Sequence, residues 1–478
     1  MRFRPVTRVV GSLLVFVGLS MLVGALVAGL YQEEDLFAHI AASGITLVAG
    51  VVLFLSTGRR VKRFDITHRE AFAIVLFGWV MSCLFGALPF FCYAQLPHVF
   101  FKDAAIEAEI EPPDCRTYTG TGREFCSFTN AVFESTSGFT TTGATILEDG
   151  LWENQDSRSG GLPHGLLFWR AFTHFLGGMG IIVLGVAILP MLGVGGMQLF
   201  KAEVPGPVKD KMAPRIEETA RLLWKVYAGL VIAEFLLLVS TGQSAYLSIC
   251  HAFATMATGG FSPLAMSIEG LHNPSAEWII LIFMFLAGAN FSLHFLSLRK
   301  MRPVHLGDQE FRFYGTVILG SAIVLVAFLF LKEDMGVSDS IRTGLFQSLT
   351  VITTTGFSTS DFALWGVGAQ LVLFSLFFVG GSAGSTGGGI KCVRVYLMTK
   401  VAFRELKRLT HPHGIIQTKL SGKVVPDNVI HSVAGFVILY FVIFFVSVVI
   451  FGLAGHDMVT SLTAVGANLG NKIGRAHV

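Results

Sequence analysis

The chain has 478 residues, of which 14% are charged, against about 25% in an ordinary soluble domain. Hydrophobic residues make up 53%, with phenylalanine alone at 43 positions, which leaves too little polar surface to clothe a soluble protein of this length. That excludes a soluble enzyme and a disordered chain, and a net charge of +3 gives no ground for a nucleic-acid partner.

The apolar residues come in runs of about 20 or more, the length an α-helix needs to cross about 30 Å of hydrocarbon. They lack the apolar/polar alternation of a transmembrane barrel. In chain order, spans are predicted over 9–30, 38–56, 71–93, 166–199, 218–240, 276–298, 313–331, 366–400 and 428–453. The first follows Arg2, Arg4 and Arg8, but it is too long for a signal h-region and has no clear cleavage site, so it reads as a retained helix. Basic clusters at Arg59–Arg63, Lys201–Arg221, Arg299–Arg312 and Lys391–Lys423 alternate with acidic stretches at Gln32–Asp35 and Asp103–Asp114. By the positive-inside rule the basic loops and the N-terminus are cytoplasmic and the acidic stretches face out, as in a multi-pass protein of a lipid bilayer. Cys83, Cys92, Cys250 and Cys392 lie in or beside apolar runs and read as packing residues. Cys115 and Cys126 share an outer polar loop, and whether they pair stays open. No metal-ligand spacing is present, and His411 and His413 in a basic loop read as solvated.

Four semi-polar segments, 128–145, 246–262, 342–358 and 458–471, are too short to span and lie on the outer side. Such a segment persists at membrane depth only where it lines a water-filled path or is buried in protein. Phe133-Glu134-Ser135-Thr136-Ser137-Gly138-Phe139-Thr140-Thr141-Thr142-Gly143 matches Phe346-Gln347-Ser348-Leu349-Thr350-Val351-Ile352-Thr353-Thr354-Thr355-Gly356, and His251 to Phe261 is a looser third copy. A dehydrated monovalent cation needs a ring of oxygens, and backbone carbonyls supply them without formal charge. Each strand then needs a residue able to take φ > 0, which glycine does cheaply, with threonine hydroxyls beside it. One such loop is a quarter of a ring, so the number of repeats is itself a functional argument. The alternative, helix packing through small residues, explains one run better than several aligned ones.

On Ser137–Ala144, Thr350–Ser358, Leu166–Pro207 (including Gly177-Gly178-Met179-Gly180) and Gly380–Lys391, the chain resembles the Trk/Ktr/HKT superfamily of cation transporters. The N-terminal hairpin points to its TrkH potassium-uptake branch rather than the shorter KtrB branch. The resemblance covers nearly the whole chain. It implies an all-α membrane protein with pseudo-fourfold helix–pore loop–helix repeats around a central pore. The corresponding divisions are an N-terminal hairpin (1–65), pore repeats at 66–212, 213–305 and 306–412, and an incomplete fourth at 413–471.

The same resemblance implies potassium as substrate, no bound cofactor, a homodimer, and a cytosolic nucleotide-binding TrkA-type regulatory subunit. It sets the filter glycines at Gly143, Gly259 and Gly356, with Thr141, Thr142, Ala257, Thr258, Thr354, Thr355 and Asn471 as the other potassium-binding residues. Serine at the first glycine position accompanies sodium preference in plant relatives, so Gly143 favours potassium. A single Thr-x-Gly-like core implies moderate discrimination against sodium. Six of the ten residues in 380–389 are glycine (Gly380, Gly381, Gly384, Gly387, Gly388 and Gly389), which breaks a helix. The resemblance makes this segment a flexible gate under the filter; the other reading is a kink. Lys391 and Arg394 read as cytoplasmic anchors, and Glu134 with Arg170 as a structural pair.

After Asn471 the family register calls for a filter glycine two residues on, Pro-Gly and a further helix. The chain instead reads Lys472-Ile473-Gly474-Arg475-Ala476-His477-Val478, so residues 472–478 are expected to be a non-native tail on a truncated chain. Cation symport with protons or sodium is the nearest functional rival. An intramembrane hydrolase is disfavoured, because no Ser/His pair has a recognisable spacing.

Overall fold

The computed structural model describes residues 3–57, 67–95, 122–147, 150–153, 161–187, 216–333, 335–411, 414 and 416–472. The clusters at Arg59–Arg63 and Asp103–Asp114, Cys115, the stretch 188–215, His413 and residues 473–478 lie outside these. The chain divides into two compact units.

The first unit comprises Met1–Gly177, Ile249–Ala254 and Phe261–His272. It opens with helices α1 (Phe3–Tyr31) and α2 (Asp35–Ser56), which form an antiparallel pair. Small residues let their backbones approach: a Cβ on Gly11 would lie 2.7 Å from the Phe54 nitrogen, and one on Gly50 2.7 Å from the Val15 nitrogen. Close approach of this kind suits lipid, where packing rather than hydrophobic transfer holds helices together. Ser43 adds a hydroxyl bond to the Gly18 carbonyl at 2.8 Å. Helix α3 (His68–Gly86) begins with a capping box of Thr67 and Glu70, and its span continues to Gln95. The short helix α4 (Phe128–Phe139) and the long helix α5 (His164–Ala187) complete the unit.

The second unit comprises Gly178–Ser248, Thr255–Gly260 and Asn273–Val478. Helix α6 (Ile216–Ser240) is followed by the short α7 (Ala245–Met256), parts of which fall in each unit. Then come α8 (Pro274–Ala287), α9 (Phe291–Lys300), α10 (Gln309–Lys332) and α11 (Val337–Thr353). The last four are α12 (Val367–Leu376), α13 (Cys392–Thr410), α14 (Asp427–Leu453) and α15 (Met458–Gly470). A two-residue hairpin, β1 (Lys419–Leu420) with β2 (Lys423–Val424), holds the only strands among the described residues.

Among the described residues six helices are long and apolar enough to span a membrane. The expected single span over 276–298 is corrected: α8 and α9 meet at a 98° bend. Hydropathy cannot register the bend, because the broken backbone is re-bonded elsewhere. The Gly288 carbonyl accepts from Ser382 N–H at 2.8 Å, and Phe291 N–H donates to the Gly384 carbonyl at 3.1 Å. Asn290 caps α9 by accepting from Ser292 N–H. With those groups satisfied by protein, a break at membrane depth is tolerated.

Candidate functional site

The helices α4, α7, α11 and α15 end in the same way. Thr141, Thr258, Thr354 and Asn471 take left-handed φ of 54°, 53°, 63° and 54°. The N–H of each donates to the carbonyl three residues back: Gly138, Thr255, Val351 and Asn468, at 3.0, 2.9, 3.2 and 3.1 Å. In three of them the next N–H reaches the carbonyl five residues back, Thr142 to Ser137, Thr355 to Thr350 and Lys472 to Ala467. These are helix C-caps of the left-handed kind, normally made with glycine. Threonine there is a steric outlier, costing about 1–3 kcal/mol, and such strain concentrates at functional positions.

Two residues further on, Gly143, Gly260 and Gly356 take φ of 82°, 81° and 80°. This corrects the expected register of the second turn by one residue. Gly260 is the equivalent of Gly143 and Gly356, whereas Gly259 has no positive φ. Adjacent glycines give the sequence no way to choose; only the position of the left-handed residue does.

The first and third turns share a second device. Thr140 and Thr142 hydroxyls lie 2.7 Å apart, and Thr353 and Thr355 hydroxyls 2.8 Å apart. In the second turn Ala257 and Gly259 take those places and leave no hydroxyl pair. Within the second unit, the second and third turns touch, since a Cβ on Gly260 would collide with the Thr355 carbonyl. The fourth turn lies against the glycine-rich segment, where a Cβ on Gly388 would sit 2.8 Å from Asn471 Cβ. The first turn belongs to the other unit.

Behind three of the turns stands a brace, seven residues before the left-handed residue. Glu134 accepts from the Thr145 hydroxyl at 2.9 Å and from Ile146 N–H at 3.1 Å. His251 Nε2 lies 3.0 Å from the Ser262 hydroxyl, and Gln347 donates to the Ser360 carbonyl at 3.3 Å. The first brace is charged: Arg170 Nε meets Glu134 at 2.5 Å, another guanidinium nitrogen donates to the Ser262 carbonyl at 3.0 Å, and its Cζ lies 3.4 Å from the centre of the Phe261 ring. Both ionic partners are buried.

The glycine-rich segment forms a loop between α12 and α13, tied by hydrogen bonds. Gly380 N–H donates to the Ile390 carbonyl at 2.8 Å and Cys392 N–H to Gly381 at 3.1 Å, closing its neck. Glu310 accepts from Ala383 N–H at 2.6 Å and from Val393 N–H at 3.1 Å. Gly384 and Gly389 use φ of 74° and 67°. Gly388 N–H donates to the Thr354 hydroxyl at 2.6 Å, and the Thr386 hydroxyl to the Met256 carbonyl at 3.1 Å. Gly387 lies near the Thr353 carbonyl, and Gly381 near Gly288. The segment therefore touches the turns that end α7, α11 and α15. Sequence reasoning missed Glu310 and Thr386, and it read Lys391 as a surface anchor. Lys391 instead donates to the Gly387 carbonyl and, at 3.4 Å, to that of Ser385. Lys472 is buried, its ammonium on the Leu376 and Val379 carbonyls at 2.6 Å each.

Cys126 is disulfide-bonded, whereas Cys83, Cys92, Cys250 and Cys392 take part in no disulfide. Among the described residues no group of three or more His, Cys, Asp or Glu is placed to hold a metal ion.

The family model described as TrkH, a cation transport protein, matches residues 70–474. The Trk system potassium uptake protein TrkH of Escherichia coli (strain K12) is 38% identical over 475 residues, covering 98% of this chain and 90% of that protein. Its counterpart in Halomonas elongata is 36% identical over 473 residues, with the same coverage. The crystal structure of the potassium transporter TrkH from Vibrio parahaemolyticus superposes with a TM-score of 0.82 at 33% identity, over 100% of this chain and 92% of that chain.

Proposed function

The chain belongs to the TrkH family of cation transport proteins, a family of multi-pass membrane transporters and not of enzymes, and from that premise we propose that it takes up potassium as the translocating subunit of a Trk-type system. The observation that carries the reading is the left-handed cap repeated at the ends of α4, α7, α11 and α15, strained in the three where the residue is threonine. Thr141 to Gly143, Thr258 to Gly260, Thr354 to Gly356 and the turn beginning at Asn471 would supply the carbonyl oxygens that replace the ion's water. Ala257 precedes the second of these turns, and Thr142 and Thr355 are the middle residues of the first and third. Buried braces hold the turns in shape, and a rigid frame is what lets a small difference in ion size become a difference in energy.

The driving force is the membrane potential. An inside-negative 100 mV contributes about 2.3 kcal/mol per unit charge, roughly 50-fold of accumulation. The glycine-rich loop, bonded to Thr354 and Met256, is the gate in this reading. The pseudo-fourfold repeats, a homodimer, a cytosolic nucleotide-binding regulatory subunit and an inner-membrane location with the N-terminus inside complete the proposal.

The test is flux from vesicles holding the reconstituted chain, with potassium or sodium as the sole permeant ion. Faster potassium flux, and reversal potentials that follow the potassium gradient alone, are expected. Equal permeation of the two ions sinks the filter reading, and a reversal potential that moves with pH or sodium replaces uniport by symport.

A further inference from the structure

A lysine at the end of an apolar segment ordinarily extends its ammonium to the headgroups. Lys391 is half-buried and turns the other way. Its Nζ donates to the carbonyls of Gly387 and Ser385, at the tip of the loop that precedes it. The neck of that loop is held independently, by Glu310 on Ala383 and Val393 and by the Gly380–Ile390 backbone bond. Beside the tip, Gly388 N–H is bonded to the hydroxyl of Thr354, the left-handed residue of the third turn. Gly387 itself is so close to that turn that a Cβ would lie 2.8 Å from the Thr353 carbonyl.

An ammonium has three donors and no acceptor, and seated among carbonyls it satisfies them as a dehydrated monovalent cation does. We propose that the Ser385 and Gly387 carbonyls form a monovalent-cation site next to the filter turns, and that the Lys391 ammonium occupies it as a tethered ion that keeps the loop shut. Potassium and Lys391 then compete for the same oxygens. With Lys391 seated, an arriving potassium ion meets a like charge and no free carbonyl. With Lys391 withdrawn, the tip loses one of its ties and is held by the Gly388–Thr354 bond and those of the Thr386 hydroxyl, while the neck stays stapled, so the loop opens as a flap. The inference rests on the filter reading above, and it adds the residue that sets the resting state and the ligand chemistry, a monovalent cation, of the site beneath the filter.

The experiment compares the wild-type chain with K391M, K391R and K391C, purified and reconstituted, by potassium and sodium flux. A shut state whose open form is a minor population of at most about 10% leaves room for a roughly tenfold rise in resting potassium flux in K391M. The potassium-to-sodium ratio should stay at the wild-type value, and K391R should stay shut. K391C should conduct like K391M until 2-aminoethyl methanethiosulfonate attaches an ammonium to the thiol, which should restore low flux; the uncharged methyl reagent should not. Because the two reagents act on one preparation of folded protein, poor yield of K391M does not decide the outcome. Unchanged resting flux in K391M and in unmodified K391C overturns the proposal, as does equal closure by the charged and uncharged reagents. Failure of the filter reading has a separate signature, loss of potassium preference in the wild type at any flux level.

Discussion

The buried pair behind the first turn lends itself to a quantitative test. In R170M the methionine keeps most of the stem's packing while removing the guanidinium. Glu134 would then remain 1% exposed, with the Thr145 hydroxyl and Ile146 N–H as hydrogen-bond donors and its cation gone. The Ser262 carbonyl would lose its donor and the Phe261 ring its cation. Removing one partner of a buried pair costs about 3–5 kcal/mol; the cation–π contact, about 0.5–2 kcal/mol, is part of the same loss and is not added to it. E134Q keeps the acceptor for Thr145 and should cost less, about 1.5–3 kcal/mol, the range for hydrogen bonds to a charged group. The double variant should cost at least about 1 kcal/mol less than the sum of the singles, since both remove one interaction. Unfolding in detergent, followed by the fluorescence of Trp169 beside Arg170, gives all three numbers. If R170M costs under about 1 kcal/mol, or the two changes add, the pair is not the brace described here.

Other expectations follow from single positions. G260A should lose potassium preference more than G259A, because Gly260 alone combines φ of 81° with contact against the Thr355 carbonyl; the reverse order in ion-replacement flux would restore the original register. Asp457 caps α15, and its carboxyl is held below the ordinary carboxylate range first by the Thr460 side chain and then by backbone N–H groups. A depressed carboxylate stabilises above that range and loses the contribution as pH falls through it. Protection of the first turn of α15 from amide exchange should therefore weaken on acidification, and D457N should abolish the pH dependence while keeping the cap.

The long spans were legible because length and hydropathy belong to one segment at a time. The short helices were legible as copies: each begins at or within five residues of the start of its semi-polar segment, and the left-handed turn occupies the segment's end. The second turn's register was not, since Gly259 and Gly260 are equivalent until the backbone assigns a positive φ to one. Aligning on the brace would have found it: Glu134, His251 and Gln347 each stand seven residues before a left-handed residue. Glu310 and Lys391 were illegible for another reason. Each sits at the end of an apolar run, where a charge reads as an anchor, and only folding of the glycine-rich loop turns both inward.

The bend between α8 and α9 and the glycine-rich loop are two halves of one arrangement. A break of either kind within a span is costly unless protein satisfies its backbone groups, because lipid cannot. Together they exchange bonds, Ser382 to Gly288 and Phe291 to Gly384. Gly288 is the hinge of that exchange: a Cβ there would collide with the Tyr314 hydroxyl and lie 2.7 Å from Thr353 Cγ2. Tyr314 is itself fixed by a bond to the Phe285 carbonyl at 3.2 Å, so it has little freedom to move aside. G288A should therefore push the bend away from the loop, at the roughly 1–3 kcal/mol typical of overpacking. Its first consequence should be faster exchange of the Ser382 and Phe291 amides, with the N-terminal hairpin unaffected. Equal protection of those two amides in wild type and G288A would mean that the bend and the loop are held by separate forces.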